Sequence, residues 1–564
     1  MHAADDARRG AFSFVCAPLY RLPELTAKRF CDRPALDFFG KKTTYGMLAA
    51  DICRYAAALA HIGAKKGDRI ILATPNCPPA VAFYYAILRV GGTVVNLNPA
   101  SAPHEAARIL ALSEAKFAAT VNIRRVTDML GEACALAGDA CRIQKILTED
   151  FTERLPFGKK YAFRILKSGE LIPPHLCQGT FFAMRHVPRR APVPPSASID
   201  PRRDVAALQY TGGTTGACKG AMLTHANLYA NAAQSAQRMD FLKEGGETVA
   251  AVLPFFHVFA MTAILNTGVY KGLCIKLYPL PNVESLCKDA RAGKITVLPG
   301  VPNLFAKMAQ YCAARHVDLS SLVCAVSGGA PLSGAVKEEF ERFTGAYVME
   351  GYGLTEASPV VALHPYRPAG GDRPGSSGLP LPGTEIRICA LSEGGGVASD
   401  LRVGETGEIC VRGPQVMAGY DKSDACDESN ALGPDGWLRT GDLGYLDRDG
   451  YLYVVGRRKE LIIVSGFNVY PREIEELLCV RDDVAEAAAV GVSCSRTGQA
   501  VMLFVSPAPG KNPTESDIFA YVEERLSRYK LPRRIVFLKE LPKTPLGKPD
   551  KKRLCAELEE IKSK

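Results

Sequence analysis

The sequence predicts an α/β protein of more than one domain, on three observations. The chain runs to 564 residues, beyond the size at which single hydrophobic cores stop growing. Roughly its first two-thirds alternates helix-period segments with short apolar runs, the pattern of a mostly parallel sheet covered on both faces. From about Gly378 to Arg457 it changes to short strands broken by glycine turns, such as Gly407-Glu408-Ile409-Cys410-Val411-Arg412-Gly413. That change suggests an antiparallel, barrel-like subdomain.

Leu48, Ile52, Tyr55 and Leu59 keep helical spacing, and their helix runs into Gly63 and a strand from Arg69 to Ala73. A helix from Val81 to Val90 stops at Gly91-Gly92, and a strand from Thr93 to Leu97 follows. A helix from Glu105 to Leu112 and a strand from Phe117 to Val121 continue the alternation. From about Glu149 to Pro201 the pattern lapses into clustered prolines and basic residues, either an ordered surface excursion or a mobile loop. Val205 to Tyr210 reads as a buried strand, and further strands follow from Val249 to Pro254, Thr296 to Pro299 and Leu322 to Ser327.

Ala251 to Tyr270 carries no formal charge over a length close to a membrane span. Pro254, His257, Asn266 and Gly268 interrupt it and Lys271 follows directly, so it is expected to be a buried helix lining a cavity. Beyond Arg457 lies a compact unit of about a hundred residues, enough for a small independent domain. In it Pro471 opens a helix presenting Ile474, Leu477 and Leu478 on one face. Strands from Ala487 to Val492 and Val501 to Ser506 come next, then a helix carrying Ile518, Tyr521, Val522 and Leu526.

A hydrophobic content of 47% with 23% charge is ordinary for a soluble globular protein. The net charge of +10 is modest for this length, and no nucleic-acid motif accompanies it. The 18 cysteines are scattered singly, without CxxC pairs or metal-ligand spacing, which fits a reducing cytoplasm. The N-terminal MHAADDARRGAFSFV has two early aspartates and no continuous apolar core, unlike a signal peptide. Peripheral membrane contact and a homodimer both stay open on composition.

The densest chemistry lies in Tyr210-Thr211-Gly212-Gly213-Thr214-Thr215-Gly216-Ala217-Cys218-Lys219-Gly220. Four glycines let backbone N–H groups turn toward an anion, three threonines add hydroxyl donors and Lys219 adds a charge. A Walker loop is excluded, because Lys219 is followed by Gly220 rather than Ser or Thr. A dinucleotide fingerprint is excluded by its spacing.

This loop resembles the signature of the adenylate-forming enzymes, the superfamily of acyl-CoA synthetases, peptide-synthetase adenylation domains and firefly-type luciferases. Its usual form is Tyr-Thr-Ser-Gly-Thr-Thr-Gly-x-Pro-Lys-Gly; here Gly212 replaces Ser and Cys218 replaces Pro. The resemblance implies a large domain, residues 1–457, of two doubly wound sheets plus a distorted β-barrel, and a small mobile α+β lid, residues 458–564. It also implies ATP, Mg²⁺ and CoA as ligands, with Thr211, Gly212, Gly213, Thr214, Thr215, Gly216 and Lys219 on phosphate and Thr215 near the metal.

Other motifs recur downstream in the family's order. Tyr352-Gly353-Leu354-Thr355-Glu356 matches its Tyr-Gly-x-Thr-Glu motif, which implies Tyr352 against adenine, Thr355 on phosphate and Glu356 on magnesium. A hard carboxylate oxygen is what magnesium takes. Gly328-Gly329-Ala330 resembles the segment lining the adenine pocket. Asp442 is the expected ribose anchor with Arg457 beside it, since a carboxylate can accept from two hydroxyls. Lys459 falls at the family's hinge position, and Ser465-Gly466-Phe467 at its CoA channel. In Leu541-Pro542-Lys543-Thr544-Pro545-Leu546-Gly547-Lys548, Lys548 resembles the lysine that reaches into the adenylation site.

Segments including Gly300-Val301-Pro302-Asn303-Leu304-Phe305 and Gly413-Pro414-Gln415-Val416-Met417-Ala418-Gly419-Tyr420 are most similar to bacterial-type long-chain fatty acyl-CoA ligases. His257, Val301 and Pro302 are then expected at an acyl pocket, and the residues after His257 are apolar, as an acyl tunnel requires. The implied reaction joins a medium or long fatty acid to CoA through an acyl-adenylate. A carrier-protein-loading ligase, a luciferase-type oxygenase and a catalytically impaired lipid- or nucleotide-binding homologue are the alternatives.

Overall fold

A computed structural model describes residues 12–172, 180–188, 191–212, 218–391, 399–421, 431–465, 467–494, 496–544 and 549–562. Its strands form four sheets. The largest has nine strands. They are, in spatial order, β16 (Leu379–Pro380), β15 (Val360–Leu363), β14 (Tyr347–Gly353), β13 (Cys324–Ser327), β12 (Val297–Gly300), β10 (Thr248–Ala251), β11 (Cys274–Leu277), β1 (Pro34–Phe38) and β2 (Lys41–Thr44). From β14 to β1 every neighbour pair is parallel, as the helix-strand alternation predicts.

A second sheet of seven strands runs β7 (Phe181–Ala183), β6 (Lys145–Glu149), β5 (Phe117–Val121), β3 (Arg69–Ala73), β4 (Thr93–Asn96), β8 (Val205–Gly212) and β9 (Cys218–Thr224). All its pairs are parallel except the β8–β9 hairpin. Between the two sheets lies the helix Pro78–Arg89, in which every residue from Pro78 to Leu88 is buried. Such total burial explains its lack of a polar face. Asn76 ties the sheets together, its amide donating to the carbonyls of Ala251 and Leu253 at 3.0 and 2.8 Å. The helix Tyr45–His61 covers the assembly with Leu48, Ile52, Tyr55 and Leu59, all buried, and Thr44 caps it by accepting from the Met47 N–H.

The glycine-punctuated stretch forms an antiparallel sheet of four strands, β17 (Glu385–Cys389), β18 (Gly407–Arg412), β19 (Leu438–Leu446) and β20 (Leu452–Arg457). The C-terminal unit has its own sheet: β21 (Ile462–Val464) pairs with β22 (Phe467–Val469) and β24 (Gly498–Pro507), which also pairs with β23 (Val484–Cys494) and β25 (Arg534–Phe537). The helices Pro471–Cys479 and Glu515–Arg525 cover this sheet, and Ile474, Leu478, Ile518 and Val522 enter a separate apolar core with Val501, Leu503 and Val505.

Two stretches differ from the reading of the sequence. The interval after Glu149 holds a helix, Phe157–Leu166, and the edge strand β7. That helix has no buried residue, and although Phe157, Tyr161 and Ile165 keep helical spacing, the surrounding prolines and basic residues masked it in the sequence. The uncharged stretch from Ala251 to Tyr270 is one strand end, a turn, a π-helical segment Ala260–Asn266 and a short helix Thr267–Tyr270. Among the described residues no helix is long and apolar enough to cross a membrane.

Candidate active site

The parallel strands β12, β13 and β14 end together, and the loops at their carboxyl ends carry three of the predicted segments. Open α/β sheets bind ligands at this edge. Val301 is the N-cap residue and Pro302 the first residue of the helix Pro302–Arg315, placed by the fixed φ of proline. Gly328 donates its N–H to the Gly300 carbonyl at 3.2 Å. A Cβ on Gly328 would lie 3.1 Å from the Phe259 ring and 3.7 Å from the Gly351 oxygen, so glycine lets an aromatic ring and the Tyr352 loop close on one point. Gly329 has φ +80 and faces Val301; Ala330 follows it in the same loop.

Tyr352, Asp442 and Arg457 meet although ninety and more positions separate the first from the others. The Tyr352 hydroxyl donates to Asp442 Oδ2 at 2.5 Å, and Arg457 Nε lies 2.8 Å from Oδ1. The β19–β20 ladder sets the second contact by placing Asp442 opposite Arg457. Asp442 is only 4% exposed at its side chain, and its own N–H donates to Thr440 Oγ1 at 3.1 Å. Burial, then the adjacent carboxylate, holds the Tyr352 phenol well above its ordinary pKa. The Asp442 charge raises Arg457 in turn. The result is a buried anion flanked by a phenol and a guanidinium.

A second cluster was not anticipated. The Tyr420 hydroxyl donates to Glu356 Oε1 at 2.8 Å, and its ring lies 5.4 Å from Lys219 Nζ. Burial, then Glu356, raises the Tyr420 phenol. The segment ending at Tyr420 joins the edge of β9: Met222 donates to the Gly419 carbonyl and Ala418 to that of Met222, both at 2.9 Å. A bidentate pair between Arg69 and Asp421, at 2.7 and 2.8 Å, anchors it. Met417 also donates to the Glu356 carbonyl at 2.8 Å. Thr355 and Glu356 occupy a single 3₁₀ turn, Thr355–Ala357. The sequence offered Tyr420 only as the last residue of a resembling segment, with no role attached.

Thr211 and Gly212 pair with Lys219 and Cys218 across the β8–β9 hairpin. Gly213, Thr214, Thr215 and Gly216 lie outside the described residues, as do Gly466 and Lys548.

Of the residues expected at an acyl pocket, His257 follows β10, and its Nδ1 accepts the N–H of Phe259 at 3.2 Å. Gln209 on β8 donates to the Phe256 carbonyl at 2.7 Å and accepts from Asn96 at 3.0 Å; the Asn96 amide also lies 3.2 Å from the Met261 sulfur. Asn96, Phe256 and Met261 border a cavity of about 10 Å³ between the two sheets, lined also by Leu72, Ala80, Tyr84, Phe255 and Leu265. That is room for about one water. The π-helical Ala260–Asn266 forms one wall, and π segments recur at functional sites.

Lys459 is exposed in the 3₁₀ turn Arg458–Glu460 that leads from β20 into the C-terminal unit. On either side of it Arg458 meets Glu408 at 3.1 Å and Glu460 meets Lys551 at 2.8 Å. Arg472 of the C-terminal unit donates to the Val454 carbonyl on β20. Ser465, at φ +52, stands in the tight turn between β21 and β22, and Phe467 is 58% exposed and stacks on Tyr529. Lys459 thus follows the cluster residue Arg457 by two positions, and Ser465 and Phe467 lie further on in the C-terminal unit.

These parts define a class. The chain matches the AMP-binding enzyme family over residues 24–421 and the AMP-binding enzyme C-terminal domain over residues 473–548. It belongs to that family. Among curated proteins it is 37% identical to a long-chain-fatty-acid–CoA ligase of Bacillus subtilis, covering 94% of this chain and 93% of that one. It is 36% identical to one of Salmonella typhimurium, covering 94% and 92%. Among solved structures it resembles ATP-bound MatB from Rhodopseudomonas palustris, with 27% identity, a TM-score of 0.81, and 96% and 99% of the two chains covered.

Proposed function

We propose that this protein is an ATP-dependent fatty acyl-CoA synthetase, converting fatty acid, ATP and CoA to acyl-CoA, AMP and pyrophosphate through an acyl-adenylate. The observation that carries the proposal is the buried Asp442 carboxylate held between Tyr352 and Arg457, beside strand ends that present Gly328 and Gly329. Asp442 would accept the ribose hydroxyls, Tyr352 would offer its ring to adenine, and the open backbone at Gly328, Gly329 and Ala330 would border that ring. Arg457 sets a positive charge 2.8 Å from Asp442.

Thr355, Lys219 and the threonine loop would receive the phosphates. Glu356 supplies the hard oxygen that magnesium requires, and Tyr420 orients that carboxylate. Magnesium, when bound, screens the triphosphate charge. No group of three or more metal-ligating side chains occurs among the described residues, so nucleotide oxygens and water would complete the shell.

The acyl chain would run past His257, Val301 and Pro302 toward the inter-sheet cavity. Its small volume means that Met261 and Leu265 must repack to admit a chain, and methionine is suited to such repacking. Residues 1–457 would form the large domain and 458–564 the lid, pivoting at Lys459. In one orientation Lys548 would neutralise charge as the carboxylate attacks the α-phosphate. In the other, Ser465, Gly466 and Phe467 would line a channel for the CoA thiol. The cysteine content supports a cytoplasmic setting.

The test is one assay of AMP, pyrophosphate and acyl-CoA release over a panel of carboxylic acids, with and without CoA. Release of all three only with medium or long acids is expected. AMP release without an acyl-CoA product would transfer the assignment to a carrier-protein-loading ligase.

A further inference from the structure

The helix Phe157–Leu166 presents large apolar side chains to solvent. Phe157, Ile165 and Leu166 are 79%, 73% and 79% exposed and Tyr161 is 48% exposed. Phe157, Tyr161 and Ile165 recur every four residues, so they share one face. The Phe157 and Tyr161 rings touch edge to face at 4.8 Å. Phe39, 48% exposed in the turn between β1 and β2, extends the patch. Lys159 joins the two parts, its Nζ 5.1 Å from the Phe39 ring and donating to the Phe39 carbonyl at 3.3 Å. No described residue covers this face.

The opposite face is anchored. Phe163 packs edge to face on Phe151, and Arg164 meets Asp150 and Glu153 while Lys160 meets Glu153. The apolar face therefore does not point outward for want of a hold on the body of the protein. Solvent exposure of this much aromatic and aliphatic surface is costly at roughly 25 cal/mol per Å², and contiguous patches of this kind mark interaction sites.

Charge decides the occupant. Among the described residues, Lys160, Arg164 and Lys167 are paired with Glu153, Asp150 and Glu170, but Lys159 at the edge of the apolar face bonds only a backbone carbonyl, and Lys41 and Lys42 are exposed in the neighbouring β2. An apolar face bordered by lysines matches the acyl–headgroup boundary of an anionic bilayer. We propose that the helix Phe157–Leu166, with Phe39, is the element by which this protein docks on anionic lipid surfaces. The inference rests on the fatty acyl-CoA synthetase reading in one respect: a fatty acid dissolves in the bilayer that this face would touch. The 3₁₀ turn Phe151–Arg154 beneath the helix packs on the helix Pro78–Arg89, whose Ala80 and Tyr84 line the inter-sheet cavity.

The test is flotation of the full chain with vesicles of phosphatidylcholine alone, or of phosphatidylcholine with about 30% phosphatidylglycerol. The parent protein should bind the anionic vesicles about 10-fold more tightly than the neutral ones. The doubly substituted Ile165→Glu/Leu166→Glu protein should lose about 10-fold or more of that affinity, because two aliphatic groups that would enter the bilayer become charges. A milder Leu166→Ser covers the case in which the double variant folds poorly, with a loss of roughly 3-fold expected. Lys42→Gln/Lys159→Gln should remove about 10-fold on anionic vesicles and little on neutral ones. Failure of the parent to float with either vesicle, or undiminished binding by both apolar-face variants, would overturn the proposal. So would a concentration-dependent dimer, seen by sedimentation velocity, that the Ile165→Glu/Leu166→Glu protein loses: the face would then belong to a second copy. AMP release with a medium-chain acid, in the absence of vesicles, should be the same in parent and variants. If no acid supports AMP release at all while flotation holds, the ligase reading fails and the docking surface stands.

Discussion

Replacing Tyr420 separates two jobs that the structure gives to one side chain. Tyr420→Phe removes the hydroxyl that donates to Glu356 at 2.8 Å but keeps the ring beside Lys219. A hydrogen bond to a charged group contributes roughly 1.5–3 kcal/mol. Glu356 is half-buried, so partial solvation brings the expected loss to about 1–2 kcal/mol, or roughly 5- to 30-fold. The loss should appear in kcat/KM for ATP during acyl-AMP formation, measured by pyrophosphate release in a single turnover without CoA. Tyr420→Ala also removes the cation–π contact, at about 0.5–1 kcal/mol for a partly exposed site, so it should be a further 2- to 5-fold slower. If Phe restores full activity, the hydroxyl does not orient Glu356. If Phe and Ala are equally impaired, the ring does not matter to Lys219.

Three further outcomes are expected. Lys548→Ala should slow acyl-AMP formation by ~100-fold or more, the scale of one lost transition-state donor, while thioester formation from supplied acyl-AMP is largely spared; equal loss of both steps would refute the division of labour between lid orientations. Gly353→Ala should destabilise by about 1–3 kcal/mol, because the added Cβ would fall 2.4 Å from the Pro359 oxygen, a backbone atom with nowhere to move; an unchanged urea midpoint would contradict the tight loop. Burial pushes the Glu350 carboxyl up to about 7, against the opposing effects of Lys337 and Arg472 and with Asp372 and Glu341 adding to the rise. A raised carboxyl binds its proton more tightly folded than unfolded, so stability should fall as pH rises from about 4.5 to about 7, with the full cost, about 3 kcal/mol, above that window. Glu350→Gln should flatten this slope in denaturation curves at about pH 5 and about pH 8, and a slope equal to the parent's would exclude Glu350 as its source.

Much of the site was legible because the family's motifs keep chemistry and spacing together. Tyr352 and Glu356 lie in one pentapeptide, and Asp442 and Arg457 on two strands joined by a short turn. Arg457 was expected beside Asp442, but the contact of Tyr352 with Asp442 was not legible, since nothing in sequence says that a phenol and a carboxylate 90 positions apart will meet at 2.5 Å. Tyr420 was missed for the same reason: its partners lie 64 positions away, at Glu356, and far back at Lys219, and the bidentate pair that holds it comes from Arg69. The parallel sheets were readable because buried parallel strands are continuous apolar runs between helices. The helix Phe157–Leu166 was passed over because it is short and set among prolines and basic residues, although Phe157, Tyr161 and Ile165 keep helical spacing.

The amino-acid sequence by itself determined the α/β class, the order of the motifs and the donor inventory for a nucleotide, since these depend on local periodicity and on residue type. The tertiary structure decided which groups converge. Strand register set Asp442 against Arg457, an added edge segment set Tyr420 against Glu356, and close packing of two sheets reduced the space beside Met261 to about 10 Å³. Such contacts are made between segments distant in the chain, and only the folding of the backbone into register brings them within a few ångströms.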